Sequence, residues 1–152
     1  MSLGDIPIKV DFDAGPQPDA GLNTAMVMAL LQEIATHLND VANGGERQVV
    51  ELGNLPLSDA DIVLLEQKLG RGEVHATVSA AGPSEIYETT FPGLWWVKYF
   101  NDAESLVSQQ LEIGPAPMIL EAHRVDIEDS AQRFPALFDS PELFASPETE
   151  SP

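Results

Sequence analysis

Three observations predict an α+β fold, with an antiparallel β-meander of about four to six strands flanked by two or three helices. An apolar stripe runs at helical spacing through residues 24–43, a second helix start is written at Ser58, and residues 74–113 alternate apolar and polar side chains between Gly/Pro breakers. A length of 152 residues, 43% of them hydrophobic, suits one compact domain with tails. The expected partition is an N-terminal extended segment and loop over 1–22, an α+β domain over 23–133, and an acidic, Pro-rich tail over 134–152.

Ile6, Ile8, Val10 and Phe12 alternate with Pro7, Lys9, Asp11 and Asp13, the pattern of a short strand that Pro7 confines to an edge. In the first helix, Val27, Leu30, Leu31, Ile34, Leu38 and Val41 form one stripe. Asn23 or Thr24 caps its start, and Asn43-Gly44-Gly45 stops it. Residues 47–52 read as a strand. Ser58 with Asp61 forms a capping-box-like start to the second helix, Ile62, Leu65 and Leu69 line its buried face, and Gly70 ends it. Strands follow over 74–79, 84–91, 94–100 and 106–113, separated by Gly82-Pro83, Pro92-Gly93 and Asn101-Asp102. A last helix is predicted over 118–133, after Pro115 and Pro117.

Composition excludes several functions. The chain carries 25 Asp plus Glu against 7 Lys plus Arg, a formal charge of −18, spread evenly over both halves. Nucleic acid and anionic membrane surfaces are therefore poor partners, since both need clustered cations. No apolar run approaches the roughly 20 residues of a membrane span, and no export signal is visible, so a cytoplasmic location is expected. With no cysteine there is no thiolate nucleophile, disulfide or Cys-ligated metal cluster.

Candidate chemistry is sparse. His37 sits late in the first helix, where a cation suits the dipole, and His123 lies in the last predicted helix. His75 lies on a strand near Glu73, and with Glu85 or Glu88 from the neighbouring strand it is a candidate metal ligand; nothing in the sequence fixes that pairing, and the solvated-surface reading is preferred. Gly-x-Ser-x-Gly is absent, and Gly70-Arg71-Gly72 lacks the rest of a phosphate-binding loop. Asp59 with Asp61 suits a helix start, and Glu128 with Asp129 carries little information in so acidic a chain. No catalytic residue, cofactor or metal site is assigned, and the protein is expected not to be an enzyme.

The aromatic residues are unevenly placed. Of the ten, Tyr87, Phe91, Trp95, Trp96, Tyr99 and Phe100 fall between positions 87 and 100. In strand 94–100, Trp95, Val97 and Tyr99 share one face, while Leu94, Trp96, Lys98 and Phe100 share the other. Both faces are largely apolar, so each needs a cover: helices, the N-terminal segment, or a partner. Trp95 is assigned to the core, and Trp96 and Phe100 to a partner surface. Phe134, Leu137, Phe138, Leu143 and Phe144 raise the same question in the acidic tail. Phe134, Phe138 and Phe144 either dock on the domain or form a linear motif for a partner.

Several segments, in order and spacing, resemble the C-terminal module of the HupH/HyaF family of hydrogenase expression and formation proteins. They are Leu55-Pro56-Leu57-Ser58-Asp59-Ala60-Asp61, Leu69-Gly70-Arg71-Gly72-Glu73-Val74, Ser84-Glu85-Ile86-Tyr87-Glu88-Thr89 and Gly93-Leu94-Trp95-Trp96-Val97. Leu111-Glu112-Ile113 before Pro115 and Pro117, and Asp129-Ser130-Ala131-Gln132-Arg133-Phe134, complete the set. The resemblance covers roughly residues 25–134. It implies a chaperone-like accessory in maturation of [NiFe] uptake hydrogenases, binding a structural-subunit precursor, the iron–sulfur small subunit foremost, with other maturation proteins as further candidate partners and no catalytic residues to carry over. The alternative from another class is a small metal-handling protein or enzyme using His75 and nearby carboxylates. Longer family members with a second, diverged copy imply that a lone module pairs as a homodimer, with strand 94–100 and the 6–12 edge as the expected contacts.

Overall fold

A computed structural model describes residues 21–139 and 141–144; the strand expected over 6–12 lies outside them. By internal contacts the chain divides into two units, one ending at Pro115 and the other beginning at Ala116. In the first unit, helix α1 (Thr24–Ala42) precedes strand β1 (Gln48–Glu51), a 3₁₀ turn at Leu52–Asn54, and helix α2 (Asp59–Leu69). Strands β2 (His75–Ala80), β3 (Gly82–Glu88), β4 (Leu94–Phe100) and β5 (Leu106–Ile113) follow. The five strands form one sheet, in the order β1-β5-β4-β3-β2, with every pair antiparallel. Four consecutive strands make the meander, and β1 adds to its far edge.

The two helix starts are joined through one side chain. Asn23 accepts from the Met26 N–H at 3.2 Å, capping α1. At α2, Ser58 Oγ accepts from the Asp61 N–H at 3.1 Å while Asp61 Oδ2 accepts from the Ser58 N–H at 2.9 Å, a complete capping box. The other oxygen of Asp61 accepts from the Asn23 N–H at 2.6 Å, so one buried carboxylate fixes both helix N-termini. The N–H groups of Ser58 and then Asn23 hold the Asp61 carboxyl below the usual carboxylate range. Gly70 ends α2 with φ of 64° and its N–H on the Glu66 carbonyl at 2.9 Å.

Both helices lie on the sheet face that carries the ladder Tyr87–Trp96–Leu111–Val50. Leu30 and Ile34 of α1 and Leu65 and Leu69 of α2 close this core together with Leu52, Leu94 and Ile113. The Tyr87 and Trp96 rings are stacked, with centroids 6.1 Å apart and planes 12° apart. Trp96 is 0% exposed and its indole N–H donates to Gln109 Oε1 at 3.1 Å. This corrects the expected placement of Trp96 on a partner surface. Strand alternation sorts side chains onto two faces, but the helices alone decide which face is deepest. The opposite face is buried at its centre as well: Ile86 and Val97 are inaccessible, and Trp95, 6% exposed, donates its indole N–H to the Gly114 carbonyl at 3.1 Å. Strand β4 is thus buried on both sides, as its two apolar faces require.

The β2–β3 connection is tighter than the Gly82-Pro83 breaker suggests, because β3 begins at Gly82 itself. Gly82 has φ of 106°, and a side chain there would run into the Phe100 carbonyl, so glycine alone fits the turn. In the second unit, the helix expected over 118–133 is shorter. A 3₁₀ turn covers Met118–Leu120, and helix α3 spans Arg124–Arg133 after an extended His123 (φ −66°, ψ 146°). Further 3₁₀ turns cover Phe134–Leu137 and Pro141–Phe144 within the segment expected to be tail.

Replacing Trp96 by alanine is expected to lower unfolding free energy by about 3–5 kcal/mol, since a fully buried indole is deleted; denaturant titration measures the loss. Asp61→Asn should lower the melting temperature at neutral pH and flatten the acid limb of stability. The folded-state pKa is depressed, so the wild-type contribution is complete above the ordinary carboxylate value of about 3.9 and disappears as pH falls through the folded value. The two melting curves should converge in strong acid.

Candidate interaction surfaces

An apolar trough opens beside α1. One part, about 350 Å³, is lined by Leu31, Ile34, Ala35 and Leu38 of α1, Lys68 and Leu69 of α2, and Phe91 and Leu94. A second part, about 250 Å³, lies between the end of α1 and the Pro92-Gly93 turn, with Ile113 as its floor. Leu38 belongs to both. Phe91 stands at the rim, 50% exposed, on a turn held by its carbonyl accepting the Leu94 N–H at 3.0 Å and the Thr89 hydroxyl at 3.2 Å. A rigid turn that presents a half-bare phenylalanine over an apolar groove can receive an apolar side chain of another polypeptide. Phe91 belongs to the aromatic cluster in the sequence but was not singled out there. Its signal is a large aromatic directly before a Pro-Gly turn, where a solvated residue is usual.

A polar cleft of about 440 Å³ lies against β2 and β3, lined by Arg71, His75, Thr77, Pro83, Ser84, Glu85, Phe100 and Glu104. Phe100, expected at a partner surface, is half-buried here. Glu85 is shared: Arg71 donates to it at 3.3 Å, and His75 Nε2 lies 3.6 Å from it. The register explains why Glu85 and not Glu88 meets His75. His75 is paired with Tyr87, so Glu85 is a same-face diagonal neighbour, whereas Glu88 belongs to the other face and accepts from the Gly93 N–H at 3.1 Å. Among the described residues no group of three or more His, Asp or Glu side chains gathers as a metal site. His37 lies 3.4 Å from Glu33 on α1, apart from this cleft.

Beneath the cleft, two of the chain's few cations pack on the core aromatics. The Arg71 guanidinium lies 4.2 Å from the Tyr87 ring centroid, and Lys98 Nζ lies 5.6 Å from that of Trp96. Lys98 also donates to Glu66 Oε1 at 2.5 Å, tying β4 to α2. Burial above all, then the Glu66 carboxylate, push the Tyr87 phenol well above its ordinary value, so it stays protonated and neutral.

In the second unit, Phe134 and Phe138 meet edge to face with centroids 5.8 Å apart. Both are exposed, as is Phe144, and a shallow groove is lined by Ser130, Arg133, Phe134 and Leu137.

Residues 25–140 match the family model described as the C-terminal conserved region of the HupH hydrogenase expression protein. The chain is 34% identical to the hydrogenase expression/formation protein HoxQ of Azotobacter vinelandii, over 78% of this chain and 42% of that protein. It is 31% identical to HupH of Rhodobacter capsulatus, again over 78% and 42%. The hydrogenase-1 operon protein HyaF of Escherichia coli is 27% identical, over 78% of this chain and 40% of that one. These relatives are thus more than twice as long as the stretch they share with this chain. The solved structure of the hydrogenase expression protein HupH from Thiobacillus denitrificans superposes with a TM-score of 0.70 at 33% identity, covering 74% of this chain and 94% of that one.

The Lys98 contacts generate a stability order. Lys98→Met keeps an apolar stem over Tyr87 and Trp96 but loses the ion pair and the cation–π contacts, whereas Lys98→Ala loses the stem as well. Melting temperatures are expected to fall in the order wild type, Lys98→Met, Lys98→Ala.

Proposed function

The chain belongs to the HupH family of hydrogenase expression proteins, and from that premise we propose that it is a non-catalytic, chaperone-like accessory in [NiFe] uptake hydrogenase maturation. It acts by binding a structural-subunit precursor, the iron–sulfur small subunit. The observation that carries this reading is the apolar trough between α1, α2 and the Phe91–Leu94 turn, a concave surface lined almost wholly by carbon. A holding role needs an apolar seat for an incompletely folded partner and enough charge elsewhere to keep the complex dispersed, and a chain at −18 supplies the second. A chain without cysteine does not ligate a cluster through thiolates, so its contribution is to the polypeptide. The exposed Phe134, Phe138 and Phe144 of the second unit are proposed as additional contacts.

A second reading rests on the His75–Glu85 approach in the polar cleft: a metal-handling site completed by a ligand from elsewhere. Metal titration by calorimetry separates the two. Stoichiometric binding of nickel, iron or zinc that is lost in His75→Ala supports the metal reading.

Capture of hydrogenase precursors tests the main proposal. The small-subunit precursor is expected to be retained by the wild-type chain in preference to the large one. Phe91→Asp should weaken capture by about tenfold or more while leaving the melting temperature nearly unchanged. Equal capture of both precursors, or capture indifferent to Phe91, counts against it.

A further inference from the structure

The two edges of the sheet are built differently. β1 has four residues, is bracketed by Glu46, Arg47 and Glu51, and runs directly into a 3₁₀ turn. Those are the usual protections of an edge: brevity, charge and a change of direction. β2 has six residues and none of these protections. From Val74 to Ser84 the chain contains no Asp, Glu, Lys or Arg, in a protein with 32 such residues among 152. β2 contains no proline, and its register with β3 runs without a shift from His75 to Ala80. His75, Thr77, Ser79 and Ala80 are exposed.

The backbone direction is fixed as well. The Glu88 N–H donates to the Val74 carbonyl at 2.9 Å, so Val74, and by the alternation of an antiparallel ladder Ala76, Val78 and Ala80, turn their backbone groups toward β3. His75, Thr77 and Ser79 therefore point theirs away from the sheet. Among the described residues nothing pairs with them, since β2 ends the strand order.

We propose that β2 pairs antiparallel with β2 of a second copy of this chain, about a two-fold axis at Val78, joining the two sheets into one. The sequence around that axis is self-complementary: Ala76-Thr77-Val78-Ser79-Ala80 reads the same in side-chain type from either end. The axis sets Ala76 opposite Ala80 of the partner subunit, Thr77 opposite Ser79 of the partner subunit, and valine opposite valine. Small faces small, hydroxyl faces hydroxyl, and the outward N–H and C=O groups of Thr77 and Ser79 fall into hydrogen-bonding register. Charge points to the same occupant. Two chains at −18 repel, and the repulsion is least where the local sequence is neutral. An isologous two-fold contact also uses one patch for both subunits and closes at two copies. This moves the expected homodimer contact away from strand 94–100, which is the central strand of the sheet. Pairing by one strand buries less than the roughly 800 Å² per partner of a standard interface, so the dimer is a weak one that tightens as salt screens the net charge.

Sedimentation of the full chain over a range of micromolar concentrations, at low and high salt, tests the proposal. The wild type is expected to show a reversible monomer–dimer equilibrium shifted toward dimer by salt. Ser79→Glu places a carboxylate on each side of the axis, and Thr77→Pro removes an outward N–H without touching the β2–β3 ladder. Each should weaken association by about tenfold or more with the melting temperature retained. Amide exchange of the wild type gives a reading independent of any variant: the Thr77 and Ser79 N–H groups should gain protection as concentration rises. A monomer at every concentration and salt, a dimer unaffected by a folded Ser79→Glu, or Thr77 and Ser79 amides whose protection ignores concentration would each overturn it.

Discussion

The burial of β4 on both faces is the constraint on which the rest of the first unit depends. Leu94-Trp95-Trp96-Val97 contributes four consecutive buried side chains, and such a run is stable only at the centre of a sheet with material on both sides. From this follow the flanking strands that satisfy its backbone, the ladder Tyr87–Trp96–Leu111–Val50 that carries its pleat across the sheet, and the two helices whose stripes fit over that ladder. The Asp61 carboxylate couples the two helix starts, so the cover is positioned as one piece.

The elements legible in the sequence are those with local causes. Helix α1 falls within a residue of its expected limits because Asn23 and the Asn43-Gly44-Gly45 stop act on neighbours a few positions away. The Ser58–Asp61 box fixes the start of α2 for the same reason. What the sequence left undetermined depended on elements distant in the chain. Parity assigns Trp95 and Trp96 to opposite faces, but which face lies under the helices follows from where α1 and α2 settle. The choice of Glu85 over Glu88 as the neighbour of His75 follows from the β2–β3 register, which composition does not encode. The last helix begins late because Pro117 and the extended His123 leave Met118–Leu120 only a single 3₁₀ turn.

An acidic chain also has to ration its cations. Of seven Lys and Arg, Lys98 and Arg71 stand on the rings at the edge of the core, where each is paired with a glutamate. Their alkyl stems and charged heads serve packing and neutrality together. Arg124 and Arg133 form i,i+4 pairs with Glu128 and Asp129 along α3, contacts that are exposed and contribute only weakly.

These commitments narrow what the molecule offers to others. The Asp61 carboxylate is occupied by the Asn23 and Ser58 N–H groups at the two helix starts, Glu66 by Lys98, and Glu88 by the Gly93 N–H, while burial keeps Tyr87 protonated. Groups so engaged serve the fold, each holding one element to another. Besides the cleft against β2 and β3, the first unit leaves accessible carbon along the α1–α2 trough, with Phe91 at its rim, and backbone along a neutral strand. Apolar recesses and open backbone recognise polypeptide, the first through side chains and the second through main-chain hydrogen bonds. In a chain at −18 such places favour recognition, since contacts among the carboxylates must first overcome the charge. Acidity therefore sharpens protein–protein surfaces of this kind.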